Sequence, residues 1–428
     1  MTRRKLRLLF DATALAGGLR SCFSRSGIFR AAYELLMALA AREDVEIGIC
    51  VDRRHVAAVH AVLDKERGGF WQDVRFWLEA RYAPPKGERG HGLMPVLWFL
   101  YRALRWIVLL IPRRICDWTS EWRYVSLRMD ELREYDAYFS SYFAPPEEIR
   151  RSGIPRWTLF YDAIVGLYPE YYVPPEGDWW RELVRVMTPE DRAFAISEST
   201  RRDMLKVVPA LRPERVSVVP LAASSRFTPC TDLNRVEFVR LKYGIPSDKR
   251  YFISMCTLEP RKNVPLAVRA FLKATEGRDD TVFVIAGGIW KSYREEWASF
   301  LDGLGADRTR LVWAGYVDDA DQPVLYSGAT AFVYLSEYEG FGLPPLEAMQ
   351  CGCPVLTSDT SSLPEVVGDC GMLVPLSDAQ VVGEAMKRLL EDKALVQNLR
   401  QRGLACARRF SWARSADLIV SGIREAVG

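Results

Sequence analysis

Short apolar runs alternate with helical patterns along the whole chain. In the first half these runs occupy residues 6–10, 45–51, 137–141, 157–160, 193–196 and 216–220. In the second half they occupy residues 251–255, 282–286, 311–313, 331–335, 355–357 and 372–374. Runs that are apolar on both faces are typical of parallel strands covered by helices. The pattern therefore predicts an α/β protein with two Rossmann-like sheets in tandem.

The two halves are separated by a cluster of turn-forming residues between positions 224 and 249. It contains Pro229, Asp232, Pro246 and Ser247, and 428 residues is a length typical of two domains. We therefore predict a first domain over 1–225, a second over 226–408 and a final helix over 409–428. Ligands of open α/β sheets bind beyond the carboxyl ends of the strands, so two facing domains would bind theirs in the cleft between them.

The most informative stretch follows the apolar run at 331–335. It contains two acids, Glu339 and Glu347, eight positions apart across a glycine turn and a Pro-Pro pair. The residues after the turn read as a short helix, with Pro345 at its first position and Gly352 at its C-terminal cap. A strand, a glycine turn and a helix N-terminus in succession form a place that suits an anion.

The two acids need a separate explanation, because prolines 344 and 345 exclude one continuous helix between them. A carboxylate beside a phosphate would repel it, so we interpret Glu339 and Glu347 as acceptors for hydroxyl groups. A phosphate together with several hydroxyls describes a nucleotide-sugar. The alternative is an exposed loop with incidental acids. The coincidence of strand, turn, helix start and both acids favours the binding site.

This stretch closely resembles the E-x7-E signature of glycosyltransferase family 4, whose members are retaining enzymes with the two-domain GT-B fold. The resemblance is strong over residues 251–375 and covers most of the chain. It implies that Glu347 holds the ribose hydroxyls and that Glu339 contacts the donor sugar. It also implies that the last helix crosses back to the first domain. The backbone amides that would face the sugar and diphosphate belong to Gly340, Phe341, Gly342 and Leu343.

Two adjacent cations, Arg261 and Lys262, follow the strand pattern at 251–255 and precede a helical pattern. Cations at the carboxyl end of a strand can neutralise a diphosphate, and arginine offers a bidentate fork. The alternative is a solvated basic turn. Family members often have an arginine where Thr257 stands here, so diphosphate binding would depend more on Arg261 and Lys262. With Glu339, these two form the predicted catalytic set.

Other positions gain a predicted role through the same resemblance. Tyr161 and Asp162 stand where the family usually has a His-Asp pair that contacts phosphate or acceptor. A buried tyrosine that closes a strand is an equally open interpretation of Tyr161. Gly27 resembles the family's glycine loop near the donor diphosphate. The backbone of Tyr316 and Val317 would lie beside the nucleotide base.

A D-x-D pattern, Asp319-Ala320-Asp321, precedes a helical pattern. We interpret it as a helix N-cap region rather than a metal site. Cations and a helix N-terminus can stabilise a leaving diphosphate, so we expect no metal. The three histidines, His55, His60 and His91, lack metal-ligand spacing.

Charge is balanced, with 58 Lys and Arg against 55 Asp and Glu, and the net charge of +3 does not indicate a nucleic-acid partner. Nine scattered cysteines in a chain of this size indicate reduced cytosolic thiols. The basic N-terminus has no apolar core of the length that a secretion signal needs.

A segment over about 95–122 is rich in tryptophan and arginine. Its uninterrupted apolar part, 106–111, is too short to span a bilayer, which takes about 20 residues. The composition suits a segment lying on anionic lipid, so we predict a peripheral protein on the inner face of the cytoplasmic membrane. The alternative is a buried core helix whose arginines extend to the surface.

Together these features predict a metal-independent hexosyltransferase that uses a nucleotide-diphospho-sugar, with no separate cofactor. GDP-mannose is the first donor to consider, and UDP-sugars and GDP-fucose stay open. The predicted acceptor is a glycan or lipid-linked glycan in surface polysaccharide assembly. One alternative is a transferase-like scaffold without turnover, which the departures at Thr257 and Tyr161 would suit. Another is a nucleotide-sugar epimerase, which would need further acid and base groups.

Overall fold

The computed structural model describes residues 4–15, 27–51, 59, 62, 132–171 and 177–428. The predicted membrane-surface segment at about 95–122, together with His55, His60 and His91, lies outside these residues. None of the helices described is long and apolar enough to cross a bilayer. By compactness the chain divides into Met1–Thr158 with Val427–Gly428, and Leu159–Ala426. The domain boundaries expected at 225 and 408 stay predictions.

The first sheet has six strands in the order β2-β1-β3-β4-β5-β6. They are β1 Leu6–Asp11, β2 Val45–Cys50, β3 Ala137–Ser140, β4 Arg156–Phe160, β5 Arg192–Ala195 and β6 Val216–Val218. The pairs β1–β2, β1–β3, β3–β4 and β5–β6 are parallel, with Leu8 level with both Ile47 and Ala137. Leu8, Leu9 and Phe10 have no exposed surface, as expected for a strand covered on both faces.

The helices that accompany this sheet are α1 Gly27–Ala40, α2 Glu147–Ser152, α3 Ile164–Leu167, α4 Asp178–Val186 and α5 Glu198–Val207. Helix α1 buries Ala32, Leu35, Leu36 and Leu39, which share one face through three- and four-residue spacing. Helix α5 begins at a serine cap, because the side chain of Ser197 accepts a hydrogen bond from the Thr200 amide.

The second sheet has the order β12-β11-β10-β7-β8-β9, and all of its neighbouring strands are parallel. The strands are β7 Arg250–Met255, β8 Thr281–Ala286, β9 Leu311–Gly315, β10 Ala331–Tyr334, β11 Val355–Ser358 and β12 Met372–Val374. All twelve predicted strands are confirmed, with ends that differ by at most two residues. Because β7 and β10 are central neighbours, the loops that follow them leave the same edge of the sheet side by side.

The helices of this half are α6 Leu233–Lys242, α7 Val264–Ala274, α8 Arg294–Gly303, α9 Gln322–Gly328, α10 Leu343–Gln350, α11 Leu363–Val367, α12 Ala379–Glu391, α13 Lys393–Ala407 and α14 Trp412–Val427. An aromatic core lies under α7, where Phe271 contacts Phe252 and Phe283 at ring-centroid distances of 6.2 and 5.5 Å. This core fixes α7, and therefore the loop that enters it, against the sheet.

The last helix returns to residues of the first sheet, as predicted. The hydroxyl of Ser415 in α14 donates a hydrogen bond to the carbonyl of Pro220 at 2.6 Å. A Cβ atom on Gly422 would lie 3.1 Å from the ring of Phe194 in β5. The glycine therefore lets the helix pack closely on the strand.

The prediction that the cysteines are reduced is wrong for one pair. Cys370 and Cys406 form a disulfide across a sequence separation of 36. The other described cysteines, Cys50, Cys230, Cys256, Cys351 and Cys353, are free thiols. Sequence gave no reason to pair two residues so far apart, and the cysteine pattern no longer indicates a reducing compartment.

Candidate donor site

The carboxyl ends of β7 and β10 bring the predicted cations and acid together. After β7 the chain makes a short 3-10 turn, Pro260–Lys262, which ends at Asn263 in the left-handed conformation. The loop after β10 runs alongside it, and the Glu337 amide donates to the carbonyl of Arg261 at 2.8 Å. These loops all belong to the unit Leu159–Ala426, so their geometry is internal to one unit.

Glu339 is the centre of the site. Its Oε1 accepts hydrogen bonds from Nη1 of Arg261 at 3.0 Å and from the hydroxyl of Tyr334 at 2.7 Å. The Nζ of Lys262 donates to the same oxygen. The side chain of Glu339 is only 12% exposed. Three donors on one carboxylate oxygen hold this acid in a single orientation.

Arg261 has a second acidic partner that the sequence analysis did not identify. Its Nη2 forms an ion pair with Glu259 at 2.6 Å, and its Nη1 also donates to the carbonyl of Tyr338 at 2.6 Å. The Glu259 side chain is 7% exposed. Arg261 and Lys262 therefore face Glu259 and Glu339, two cations against two acids, in a site largely removed from water.

The electrostatics of this cluster keep its members charged. Burial alone would raise the pKa of Glu339, but Lys262 and Arg261 outweigh it and lower the pKa to about 2. Burial alone would lower the pKa of Arg261, but Glu339 and Glu259 raise it above its usual value. An anion that enters the site therefore meets a permanent guanidinium whose present counter-ions are carboxylates.

The glycine turn packs against the loop that follows β4. A Cβ atom on Gly340 would lie 1.7 Å from the carbonyl oxygen of Tyr161, so only glycine fits there. The Gly340 carbonyl accepts hydrogen bonds from the hydroxyls of Ser197 at 2.7 Å and Thr200 at 2.9 Å. The structure thus brings Gly340 together with Tyr161 and Asp162, which are far away in sequence.

Asp162 caps helix α3, because its Oδ1 accepts the Ile164 amide at 3.0 Å. Burial raises the pKa of Asp162, and Arg261 and Glu339 act on it in opposite directions, so it lies in the same electrostatic field. Tyr161 is buried, and burial raises the pKa of its phenol, which stays neutral. Both interpretations of Tyr161, as a donor to substrate and as a strand-closing side chain, stay open.

Helix α10 begins two residues earlier than predicted. Leu343 is its first residue, Gly342 at φ 112° is the cap, and prolines 344 and 345 take the second and third positions. Because proline has no N–H, Leu343 is the only one of the first three helical residues that offers a donor. Glu347, the fifth residue, is half-buried. Gly352 at φ 70° ends the helix as predicted.

The remaining predicted positions follow other elements. Tyr316 and Val317 come directly after β9; Tyr316 is exposed, and the buried Val317 accepts a hydrogen bond from Gln322 at its carbonyl. Gly27 belongs to the other unit, where it begins α1. The roles assigned to these three residues stay predictions.

The D-x-D pattern is engaged in ion pairs. Asp319 accepts from Arg226 at 2.9 Å, and Asp321 accepts from Lys242 at 2.6 Å. Asp321 occupies the cap position of α9, but its side chain makes no capping hydrogen bond. Both acids therefore have cationic partners from the protein itself.

Sequence reasoning missed three site residues. Tyr334 was counted as one apolar position of a strand, although an aromatic side chain with a polar tip at a strand's carboxyl end is a usable signal. Glu259 stands two residues before Arg261 in a loop, which is another. Tyr338 accepts the Ala163 amide and donates to Asp203, each at 3.3 Å, and nothing in its spacing indicated those partners.

Two six-stranded Rossmann-like sheets, with an acid and two cations beyond the central strands of the second, define the class of GT-B glycosyltransferases. A sequence model of the family Glycosyl transferases group 1 matches residues 236–405. O-antigen chain mannosyltransferase B of Escherichia coli is 31% identical over 289 residues, which are 66% of this chain and 72% of that protein. The chain belongs to this glycosyltransferase family, so the predicted family, with its mannosyltransferase-like branch, is confirmed.

Two further similarities bear on length and fold. Serotype-specific mannosyltransferase WbdA of Escherichia coli is 32% identical over 266 residues, 61% of this chain. The chain spans only about a third of that protein, 32% of its length. The crystal structure of Anabaena HepE in complex with UDP and glucose aligns with a TM-score of 0.63 at 16% identity, over 97% of this chain and 98% of that one. The predicted GT-B fold is confirmed.

Proposed function

We propose that this protein transfers a hexose, first of all mannose, from a nucleotide-diphospho-sugar to a glycan or lipid-linked glycan acceptor. The observation that carries the proposal is the convergence of Arg261, Lys262 and Glu339 at the carboxyl ends of two neighbouring central strands. The names of two relatives, both mannosyltransferases, support mannose and so GDP-mannose as donor. UDP-sugars and GDP-fucose are the alternatives to test beside it.

In the proposed reaction the bond between the sugar C1 and the diphosphate oxygen breaks, and its electron pair leaves with the nucleoside diphosphate. The acceptor hydroxyl oxygen forms the new bond to C1 from the same face, and its proton passes to the departing phosphate oxygen. Arg261 and Lys262 stabilise the negative charge that develops on that oxygen. The protein contributes mainly by positioning and electrostatics, and no resident metal or separate cofactor is part of the proposal.

The ion pairs around Glu339 suggest how donor binding begins. An incoming diphosphate replaces Glu339 as the partner of Arg261 and Lys262, because both cations are already oriented towards its oxygen. Glu339 is then free to accept a hydrogen bond from a sugar hydroxyl. A nucleoside diphosphate without a sugar would leave this carboxylate without the replacement. Recognition of the sugar and of the diphosphate are therefore coupled.

The other predicted contacts complete the proposal. Glu347 holds the ribose hydroxyls, the amides around Gly342 and Leu343 face the sugar and diphosphate, and the backbone of Tyr316 lies beside the base. The reaction would serve surface polysaccharide assembly at the inner face of the cytoplasmic membrane. The printed names of the Escherichia coli relatives, which refer to O-antigen and serotype, support that setting.

A release assay tests the proposal. Purified protein, with and without membrane lipid extract, receives GDP-mannose, GDP-fucose, UDP-glucose or UDP-N-acetylglucosamine, and free GDP or UDP is followed. We expect release from one donor, increased by the extract and abolished in Glu347→Ala. Glu337→Gln is the matched control, because Glu337 is an exposed acid of the same loop.

Two results would contradict the proposal. Wild-type turnover in Glu347→Ala would exclude the assigned donor site. Binding of a donor by calorimetry without release of its nucleoside diphosphate, in the presence of the extract, would instead indicate a scaffold that binds nucleotide-sugars without transferring them.

A further inference from the structure

We propose that Tyr334 is a positioning residue for the transfer reaction, acting through Lys262 and Glu339. This inference rests on the proposed function, since it concerns the same site. Tyr334 is the last residue of β10 and is 3% exposed. Its hydroxyl accepts a hydrogen bond from Nζ of Lys262 at 2.7 Å and donates one to Oε1 of Glu339 at 2.7 Å.

The tyrosine contacts the lysine in two ways. Besides the hydrogen bond, the ammonium of Lys262 lies 5.0 Å from the centroid of the Tyr334 ring. A cation at that distance from an aromatic face is attracted by the ring quadrupole. The long lysine side chain is therefore held both by the ring and by its hydroxyl, and its ammonium has one preferred position.

The tyrosine itself is fixed by the sheet. Its carbonyl accepts a hydrogen bond from the hydroxyl of Thr357 in β11 at 2.6 Å. Its ring stacks on that of Phe332, with centroids 5.5 Å apart and an interplanar angle of 24°. A ring held in a central strand is a rigid reference point, whereas a free lysine loses close to 2 kcal/mol of rotamer entropy when it is fixed.

This rigidity matters most when the diphosphate has displaced Glu339. Lys262 then loses its carboxylate partner, but the phenolic oxygen of Tyr334 still accepts one of its three N–H bonds. The remaining N–H groups stay directed towards the leaving oxygen, where charge develops. Tyr334 does not supply a proton, because burial raises the pKa of its phenol well above the ordinary value. It acts by holding a cation in place.

A double-mutant cycle tests this role, because it asks whether Tyr334 acts through Lys262. We expect Tyr334→Phe to lower kcat/KM about tenfold, as for the loss of a hydrogen bond to a charged group. In the Lys262→Ala background the same change should have little further effect. The pH profile of kcat/KM should keep its shape in Tyr334→Phe, since no proton is transferred by the phenol.

Tyr251→Phe is the matched control. Tyr251 is equally buried and donates a hydrogen bond to the Leu325 carbonyl at 2.7 Å, away from the cations. It should lose stability comparably while keeping wild-type kcat/KM. An equal loss of activity in both tyrosine variants, or an unchanged effect of Tyr334→Phe when Lys262 is absent, would overturn the proposal.

Failure of the proposed function gives a different result. If the wild-type protein releases no nucleoside diphosphate from any donor, the transferase is excluded and the cycle is measured on binding of GDP and UDP by calorimetry. Tyr334→Phe should then weaken nucleotide binding only while Lys262 is present. Equal binding in Tyr334→Phe and wild type would reject the positioning role as well.

Discussion

Arg261 and Glu339 form a buried ion pair, with Nη1 and Oε1 3.0 Å apart and side chains that are 18% and 12% exposed. Sequence assigned the first residue to the diphosphate and the second to the sugar. Their contact means that neither assignment can be tested by a substitution that leaves the other residue undisturbed. Variants in this site therefore need a readout of folding beside the readout of activity.

Lys262→Ala is the cleanest probe of catalysis. Glu339 keeps Arg261 and Tyr334 as partners in this variant, so the fold should survive. We expect a loss on the order of 3 kcal/mol of transition-state stabilisation, seen as a fall of about 100-fold in the rate of nucleoside diphosphate release. Lys393→Ala, an exposed lysine at the start of α13, should be unaffected. Full activity in Lys262→Ala would remove this lysine from the mechanism.

Arg261→Ala should act mainly on stability. It leaves Glu259 and Glu339 buried with one cation between them, and breaking a buried pair from one side costs about 3–5 kcal/mol. Chemical denaturation should show that loss in the free energy of unfolding. Arg308→Ala removes an arginine that is 57% exposed in its ion pair, so its effect should lie within about 0.5 kcal/mol. Equal stabilities for the two variants would mean that the Arg261 cluster is not a buried network.

Stability should depend on pH through Glu339. Its pKa of about 2 in the folded protein lies below the usual value of 4.5, so its ionised form stabilises the fold above about pH 4.5. That contribution, on the order of 3 kcal/mol, is lost as the pH falls towards 2. The difference in unfolding free energy between wild type and Glu339→Gln should therefore shrink from pH 7 to pH 3. A difference that stays constant over this range would be inconsistent with the ion pairs.

Gly340→Ala should disrupt the site by sterics alone. The added methyl group would overlap the Tyr161 carbonyl at 1.7 Å, so either the glycine turn or the loop after β4 must move. We expect loss of donor turnover together with a lower melting temperature. Gly303→Ala, at the end of α8 with no atom within 4 Å of the new Cβ, is the control. Normal melting and turnover in Gly340→Ala would show that the two loops separate freely.

Much of the fold was predictable from sequence because buried parallel strands are apolar on both faces. All twelve strands appeared as such runs, and the turn after β10 was recognisable from its glycines and prolines. The start of α10 was placed wrongly because a proline is favoured at the first helical position. Here the two prolines follow Leu343 instead, which removes two backbone donors from the helix end.

The pairing of side chains within the site was not predictable. Glu339 and Arg261 are separated by 77 residues, and their contact depends on β7 and β10 being neighbours, which apolar runs do not specify. Tyr334 lay hidden in a β-prone run for the same reason. The disulfide between Cys370 and Cys406 joins a turn after α11 to α13, and no spacing rule would pair them.

Titration calorimetry of GDP and UDP tests most directly whether Arg261, Lys262 and Glu339 form a donor diphosphate site. One of the two nucleotides should bind wild type and Lys393→Ala alike, with an affinity at least tenfold lower in Lys262→Ala and weakened by salt. The corresponding nucleoside, guanosine or uridine, should show no difference between wild type and Lys262→Ala. Failure of both nucleotides to bind, or equal binding in wild type and Lys262→Ala, would contradict the assignment of this cluster to the diphosphate.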